Sequence, residues 1–306
     1  MSWQLFLMQA LNGLQLGLLL FLLSAGLTLV LGIMSFLNLA HGSFYMMGAY
    51  FAAAVYGVTG SFGAAAMVAV PATLVLGLLV EQIVLNKLYD RDHLYQVLAT
   101  FGLILFFNEL VRIIWGPSAV YIATPEALSG AIRIFGLPYP LYRFAIICLG
   151  LGIAILLYLI IHRTRLGMLI RAGATNPTMV GMLGVDIKRI NMLVLAFGAA
   201  LAGLAGLMSG PIMSVEPGMG EPILILTLVV IITGGIGSIR GAFYGALIVG
   251  FIDTIGRAFL PLVLRELFNP SIAQALGPTI ASIAIYLFMA VVLALKPEGL
   301  FQVKHG

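Results

Sequence analysis

Leu16-Gly17-Leu18-Leu19-Leu20-Phe21-Leu22-Leu23-Ser24-Ala25-Gly26-Leu27-Thr28-Leu29-Val30-Leu31-Gly32 is apolar on every side and carries no charge. A helix on the surface of a soluble protein keeps its apolar residues to one stripe. This stretch has no stripe, so it reads as a membrane segment. It is the middle of an apolar run over 5–35, and no Asp, Glu, Lys or Arg precedes Glu81. A secretory signal has an apolar stretch of only about 7–15 residues behind a basic start, so this is no signal alone. Further apolar runs follow at 40–58, 62–86, 94–115, 141–161, 191–213, 222–258 and 272–295. Backbone in lipid must satisfy its hydrogen bonds within the segment, which leaves helix, since a barrel needs alternating polar residues. The reading is an all-α polytopic membrane protein of about eight transmembrane segments, at about 20 residues each.

Composition agrees. The 306 residues are 62% hydrophobic and 8% charged, with a mean hydropathy of +1.14; a soluble domain has about 25% charged residues. Fifteen Lys and Arg against eleven Asp and Glu are too few to track phosphates, which excludes a nucleic-acid partner. The single cysteine, Cys148, permits no internal disulfide and no thiolate metal site, and no cofactor or metal motif stands elsewhere. Basic residues orient the chain. Arg163, Arg165, Arg171, Lys188 and Arg189 lie in the segment 162–190, Lys87 and Arg91 in a short loop, and Lys296 and Lys304 in the tail. These ends are expected in the cytoplasm, opposite Arg133, Arg143, Arg257 and Arg265.

The three runs between 190 and 296 would put two basic ends on opposite sides. Run 222–258 resolves this, because Gly234-Gly235-Ile236-Gly237-Ser238 interrupts it. Each glycine costs a continuous helix about 1 kcal/mol. Two half-helices that enter and leave by the same face restore the parity. A weak repeat points to the same place. Leu27–Val30 recurs as Leu226–Val229, and at the same offset of 199 Ile33, Gly42, Phe44 and Tyr45 match Ile232, Gly241, Phe243 and Tyr244. The single domain 1–306 then has halves of about 1–161 and 191–296, and Asn38-Leu39-Ala40-His41-Gly42 is the first half's break.

Paired, glycine-interrupted helices point to a transport path. Asn38, His41, Gly42, Ser43, Gly234, Gly235, Gly237 and Arg240 are the candidate path residues. Asn38 and His41 either cap the broken helix ends or face the solute. Arg240 either meets helix-end carbonyls or marks an aqueous face. Asp253 is the best candidate for ion coupling within a span, or a partner for Arg257 four residues on. Glu109 and Arg112 read as an i,i+3 pair.

The loop 162–190 holds a helix start at Asn176-Pro177, an N-cap followed by proline in the first turn, and a stop at Gly184. Met179, Val180, Met182 and Leu183 would point outward from this short helix, either onto the membrane surface or into a partner. A phosphate-binding loop needs Lys after Gly and before Ser or Thr. Lys87, Lys188, Lys296 and Lys304 follow Asn, Ile, Leu and Val, so this chain has no such loop.

Several motifs in order resemble the branched-chain amino acid ABC transporter permeases. They are Ala25–Gly32 with Asn38–Gly42, Arg163–Gly167 with Arg171-Ala172 and Gly181–Val185, Thr233–Gly241, and Lys296–Phe301. The likeness spans almost the whole chain and favours the shorter of the two permease subunits of such systems. Arg240 stands where the family more often has proline, and Leu39 where it has an aromatic. The resemblance implies a non-catalytic subunit of a bacterial inner-membrane importer. It would pair with a second homologous permease above two cytoplasmic ATPases, and a periplasmic or lipid-anchored binding protein would deliver a branched-chain or other hydrophobic amino acid. Urea, short amides and aromatic acids are alternative solutes. Arg163, Arg165, Gly167, Arg171, Ala172, Asn176, Gly181, Met182 and Gly184 would couple to the ATPases, with the short helix as the docking knob. The alternative is a self-sufficient secondary carrier that uses Asp253.

Overall fold

The structure is a computed structural model describing residues 3–34, 36–89 and 91–301; Lys304 lies outside the described residues. These contain α1 (Trp3–Met34), α2 (His41–Thr59), α3 (Phe62–Ile83), α4 (His93–Trp115), α5 (Leu141–Arg163), α6 (Arg165–Thr175), α7 (Pro177–Met182), α8 (Ile187–Ser209), α9 (Gly220–Gly234), α10 (Ile239–Leu264) and α11 (Pro270–Leu295). Seven of them are long and apolar enough to cross a membrane: α1, α3, α4, α5, α8, α10 and α11. The chain is an all-α polytopic membrane protein. One small hairpin, β1 (Ala131–Ile134) and β2 (Leu137–Pro140), caps one end. Its turn, Phe135-Gly136, has φ of 51° and 81°, the positive pair that a two-residue hairpin turn demands.

The first apolar run is one 32-residue helix, α1, about 48 Å long at 1.5 Å per residue. It is the hub of the bundle, and every residue from Gly17 to Val30 is buried. Glycines let other helices approach it. A Cβ on Gly17 would lie 3.0 Å from Leu247 Cα on α10, and one on Gly26 would lie 2.9 Å from Gly198 Cα on α8. Small residues are what bring helices together in a bilayer, where burial from water supplies no drive. α1 and α10 run antiparallel. Gly13 meets Phe251, Phe21 meets Phe243 edge-to-face at 5.2 Å, and Gly32 meets Gly237.

α8 is the second buried helix, gripped by α2 and α3 through Gly203 and Gly206. Two tyrosines tie its far end. Tyr45 donates to Ser209 Oγ at 2.7 Å and Tyr142 to the Met208 carbonyl at 2.8 Å. α6, α7, the start of α8, the end of α9 and the chain's tail gather at the end of the bundle where α1 finishes, called the basic end here. The hairpin lies at the opposite end.

Candidate functional site

The chain leaves helix after α1 and turns back into the bundle. Phe36 packs against Tyr89 at the basic end, 5.9 Å between ring centroids. Five residues later His41 opens α2, and its Nε2 donates to the Leu23 carbonyl at 3.1 Å; the carbonyl only accepts, so the proton is on Nε2. Leu23 is 11 residues before the end of α1, about 16 Å deep, so α2 starts inside the bundle. Asn38 Oδ1 accepts from the Ala40 amide at 3.0 Å, and the Asn38 carbonyl accepts from the His41 amide at 3.3 Å. Asn38 and His41 are fully buried, and Asn38 Nδ2 and His41 Nδ1 have no partner among the described residues.

A second helix starts at the same depth. Gly220, the first residue of α9, lies backbone to backbone against Gly42. Counted back from Gly234, Glu221 sits about 20 Å from the basic end. It occupies the first turn of α9, where the helix dipole favours an anion. Asn108 of α4 donates to Glu221 Oε1 at 2.6 Å. Leu39, Gly42, Ser43 and Met46 close the space between. Beyond it Glu221 is exposed and borders a cleft of about 420 Å³ with Arg257, Ser282 and Tyr286. Glu221 escapes a reading based on breaks and basic loops. Its signal is that it is the only carboxylate between Glu216 and Asp253, at the head of an apolar run.

The second break lies elsewhere. Gly235 and Gly237 have φ of 107° and 80°, conformations that side chains other than glycine rarely adopt. The carbonyls that α9 leaves open are met by the tail, with Leu300 donating to Thr233 at 2.9 Å and Phe301 to Gly234 at 3.0 Å. Gly234 packs against the Gly241 backbone, and Ser238 Oγ caps α10 by accepting from the Gly241 amide at 3.0 Å. Among the described residues Arg240 meets no helix-end carbonyl, and it lies over the Tyr158 ring, 5.9 Å from its centroid. The helices stop at Met34 and Gly234 and restart at His41 and Ile239, separations of 200 and 198 residues that bracket the repeat offset of 199. Yet Asn38, His41, Gly42 and Ser43 lie inside the bundle, whereas Gly234, Gly235, Gly237 and Arg240 lie at its basic end. α10, at 26 residues, is a full span rather than a half-helix; only α9, at 15, is short.

Asp253 accepts from Arg257 Nε at 2.7 Å, and Arg257 also donates to Ser282 Oγ at 3.0 Å, tying α10 to α11. Glu109 and Arg112 pair at 2.8 Å.

At the basic end, Thr164 caps α6 by accepting from the Gly167 amide at 3.1 Å. Gly167 leaves room for the Ile160 and Ile161 carbonyls, and Arg171 Nη1 donates to the Ile161 carbonyl. The α5–α6 corner is therefore rigid, and Gly173 rests 3.8 Å (as a Cβ) from Ile33 under the end of α1. Asn176 caps α7 by accepting from the Met179 amide at 2.9 Å, and Gly184 ends it with φ of 86°. Met179, Met182 and Leu183 point outward, 56%, 78% and 77% exposed. Val180 does not: it is buried, because it is the face on which this six-residue helix sits. Arg163, Arg165 and Gly181 are exposed around this elbow and Ala172 is half-buried.

Residues 9–295 match the family model described as branched-chain amino acid transport system / permease component. A high-affinity branched-chain amino acid transport permease of Pseudomonas aeruginosa, BraD, is 29% identical over 87% of this chain and 94% of its own length. LivH of Escherichia coli K12, with the same description, is 28% identical over 86% and 90%. The ribose import permease RbsC of E. coli K12 is 27% identical over 76% and 72%. With seven spanning helices and a family match over nearly its whole length, the chain belongs to the permease components of branched-chain amino acid transport systems.

Proposed function

We propose that this chain is the membrane subunit of an ATP-driven importer, set in a bacterial inner membrane with its basic end in the cytoplasm, and that its solute passes along the face bearing Asn108 and Glu221. The observation that carries this is the Asn108–Glu221 pair, about 20 Å into the bundle from the basic end and open on one side. Carboxylates at such depth in a membrane protein face a partner or a water-filled cavity. A second, homologous permease covers that face, and the path runs between the two. The first break supports the path from behind: Asn38 and His41 hold the start of α2, and Gly42 and Ser43 bring it against α9. Rocking of α2 and α9 at their Gly42–Gly220 contact would open the closed space beside Glu221.

One of the two ATPases docks on α7 and the other beneath the second permease. The apolar Met182 and Leu183 are the contact, Met being suited to an adaptable interface. Arg163, Arg165, Gly167, Arg171, Ala172, Asn176, Gly181 and Gly184 shape the elbow that carries ATPase motion to α5 and α1. A binding protein delivers a branched-chain or other hydrophobic amino acid, as the names of BraD and LivH suggest. The self-sufficient carrier loses support from Asp253, whose charge Arg257 already neutralises.

The test is reconstitution of this chain with its partner permease and ATPases, with ATP hydrolysis and uptake measured as binding protein loaded with leucine or with ribose is added. Stimulation by the leucine-loaded protein, lost in Glu221→Leu and in Met182→Glu, is the expected result. Stimulation by the ribose-loaded protein alone would overturn the amino-acid assignment. Uptake by this chain without ATPases would overturn the importer.

A further inference from the structure

A groove of about 840 Å³ opens on a different side of the bundle, between α5 and the start of α10 and floored by α1 and α6. Its lining changes along the membrane normal. Toward the bilayer centre the walls are apolar, with Phe21, Leu151 and Ile155; at the basic end they carry Tyr158, His162, Arg240 and Arg171, whose guanidinium also donates to the Ile161 carbonyl. From Leu151 to His162 along α5 is about 16 Å, the scale of one lipid headgroup and the upper portion of its chain. No Asp or Glu lines the groove among the described residues. Arg240 is exposed and forms no ion pair among them. The amides of Ile239 and Arg240 open α10 and have no acceptor among the described residues, so they add the positive end of a helix to the same corner. Thr28, fully buried, lies in the floor, and its hydroxyl has no hydrogen-bond partner among the described residues. It is four residues deeper along α1 than Gly32, which touches Gly237, two residues before α10 begins. That is about 6 Å below the cationic corner, the level of an acyl ester beneath its phosphate.

We propose that this groove holds an anionic phospholipid of the leaflet on the basic side, with its phosphate against Arg240 and the first turn of α10 and one acyl chain along α1 and α5. The Asn108–Glu221 face lies on α4 and α9, so the lipid and the second permease occupy separate surfaces. A bare phosphate would leave the apolar wall empty, and an uncharged lipid would leave the cation unanswered. Bound there, the lipid joins α5, α6 and α10 across the base of the elbow.

The experiment is native mass spectrometry of the purified full chain, titrated with phosphatidylglycerol or phosphatidylcholine of matched chains. Phosphatidylglycerol should bind more tightly by about fivefold, the effect of one basic side chain at an anionic surface. Arg240→Ala should remove most of that preference, leaving what Arg171 and the first turn of α10 supply, Arg240→Lys should keep most of it, and Ile155→Trp should weaken both lipids by filling the wall. Thermal unfolding of each variant in the same detergent separates lipid loss from misfolding. Equal binding of the two lipids, or a preference untouched in Arg240→Ala, overturns the proposal. Displacement of the lipid by equimolar glycerol phosphate also overturns it, since the site would then serve a soluble anion.

Discussion

The Gly26–Gly198 crossing of α1 and α8 allows an asymmetric prediction. A Cβ on Gly26 would lie 2.9 Å from both the Cα and the carbonyl oxygen of Gly198, whereas a Cβ on Gly198 would come no nearer than 3.2 Å to Gly26. Carbon atoms rest at about 3.5–4.0 Å, and a gap of 0.5–1 Å forfeits a quarter to a half of each contact's attraction. Gly26→Ala must therefore push the facing backbones apart by about 0.8 Å to restore that spacing, and backbone has no rotamer with which to yield. Some twenty facing atom pairs at about 0.15 kcal/mol each then lose about 1 kcal/mol, and strain brings the cost into the overpacking range of about 1–3 kcal/mol. Both variants gain about 1 kcal/mol in helix propensity; Gly198→Ala asks for only a few tenths of an ångström and is offset by it, whereas for Gly26→Ala it only lowers a cost near the top of that range. Reversible unfolding in mixed micelles should find Gly26→Ala destabilised by about 1–2 kcal/mol and Gly198→Ala within about 0.5 kcal/mol of wild type. Gly26→Leu should not fold. Equal costs, or a larger cost at Gly198, would refute the claim that the approach of two backbones, rather than side-chain packing, sets this interface.

Asp253→Asn should destabilise the chain by about 1–2 kcal/mol, because it weakens a charge-assisted bond and leaves Arg257 half-exposed beside it, while uptake by the reconstituted complex stays indifferent to a proton gradient. Complete loss of uptake at unchanged stability would return Asp253 to the ion-coupling role. Leu183→Glu together with Met182→Glu should abolish co-purification of the ATPases without moving the unfolding midpoint, since both side chains are more than three-quarters exposed. Phe135→Gly should stabilise the hairpin by up to about 1 kcal/mol, because glycine adopts φ of 51° without the penalty of a side chain; limited proteolysis of the loop would register it as slower cleavage. Tyr142→Phe should cost about 1 kcal/mol through the Met208 carbonyl left without its donor.

Much of this is legible in the residues. Apolar runs mark the helices because each must bridge a fixed thickness of hydrocarbon, and Asn176, Pro177 and Gly184 mark α7 because capping is local chemistry. The pairs Asp253–Arg257 and Glu109–Arg112 follow from helical spacing alone. What stays hidden depends on which helices meet. Run 5–35 is too long for one upright span and too short for two, and only its place at the centre of the bundle makes one long helix reasonable. Val180 looks outward by composition, but a two-turn helix must rest on something, and Val180 is what it rests on. Glu221 draws no notice in the sequence because its partner, Asn108, is 113 residues away, and no local pattern reports that distance.

The two breaks show how one repeat can serve two purposes. Both follow an α-helix that ends beside glycine, and both restart about 199 residues apart, yet their orphaned backbone groups are met differently. At the second break the chain's tail supplies Leu300 and Phe301 as donors, and a serine caps the new helix, so the turn is complete and stays at the surface. At the first break Ala40 offers no side-chain cap, and the chain instead turns back into the bundle through residues 36–40. There Asn38 and His41, fully buried, supply the bonds. Buried polar groups without a full set of partners are costly, and two such atoms, Asn38 Nδ2 and His41 Nδ1, remain here. A chain selected only for stability would place apolar residues at these positions and continue α1 into the loop. Retaining them shortens α2, brings its first turn against α9, and sets Gly42 and Ser43 beside Glu221. The cost of the first break is thus tied to a place in the described bundle where two helix starts meet, and that is where a path between two permeases would need to open.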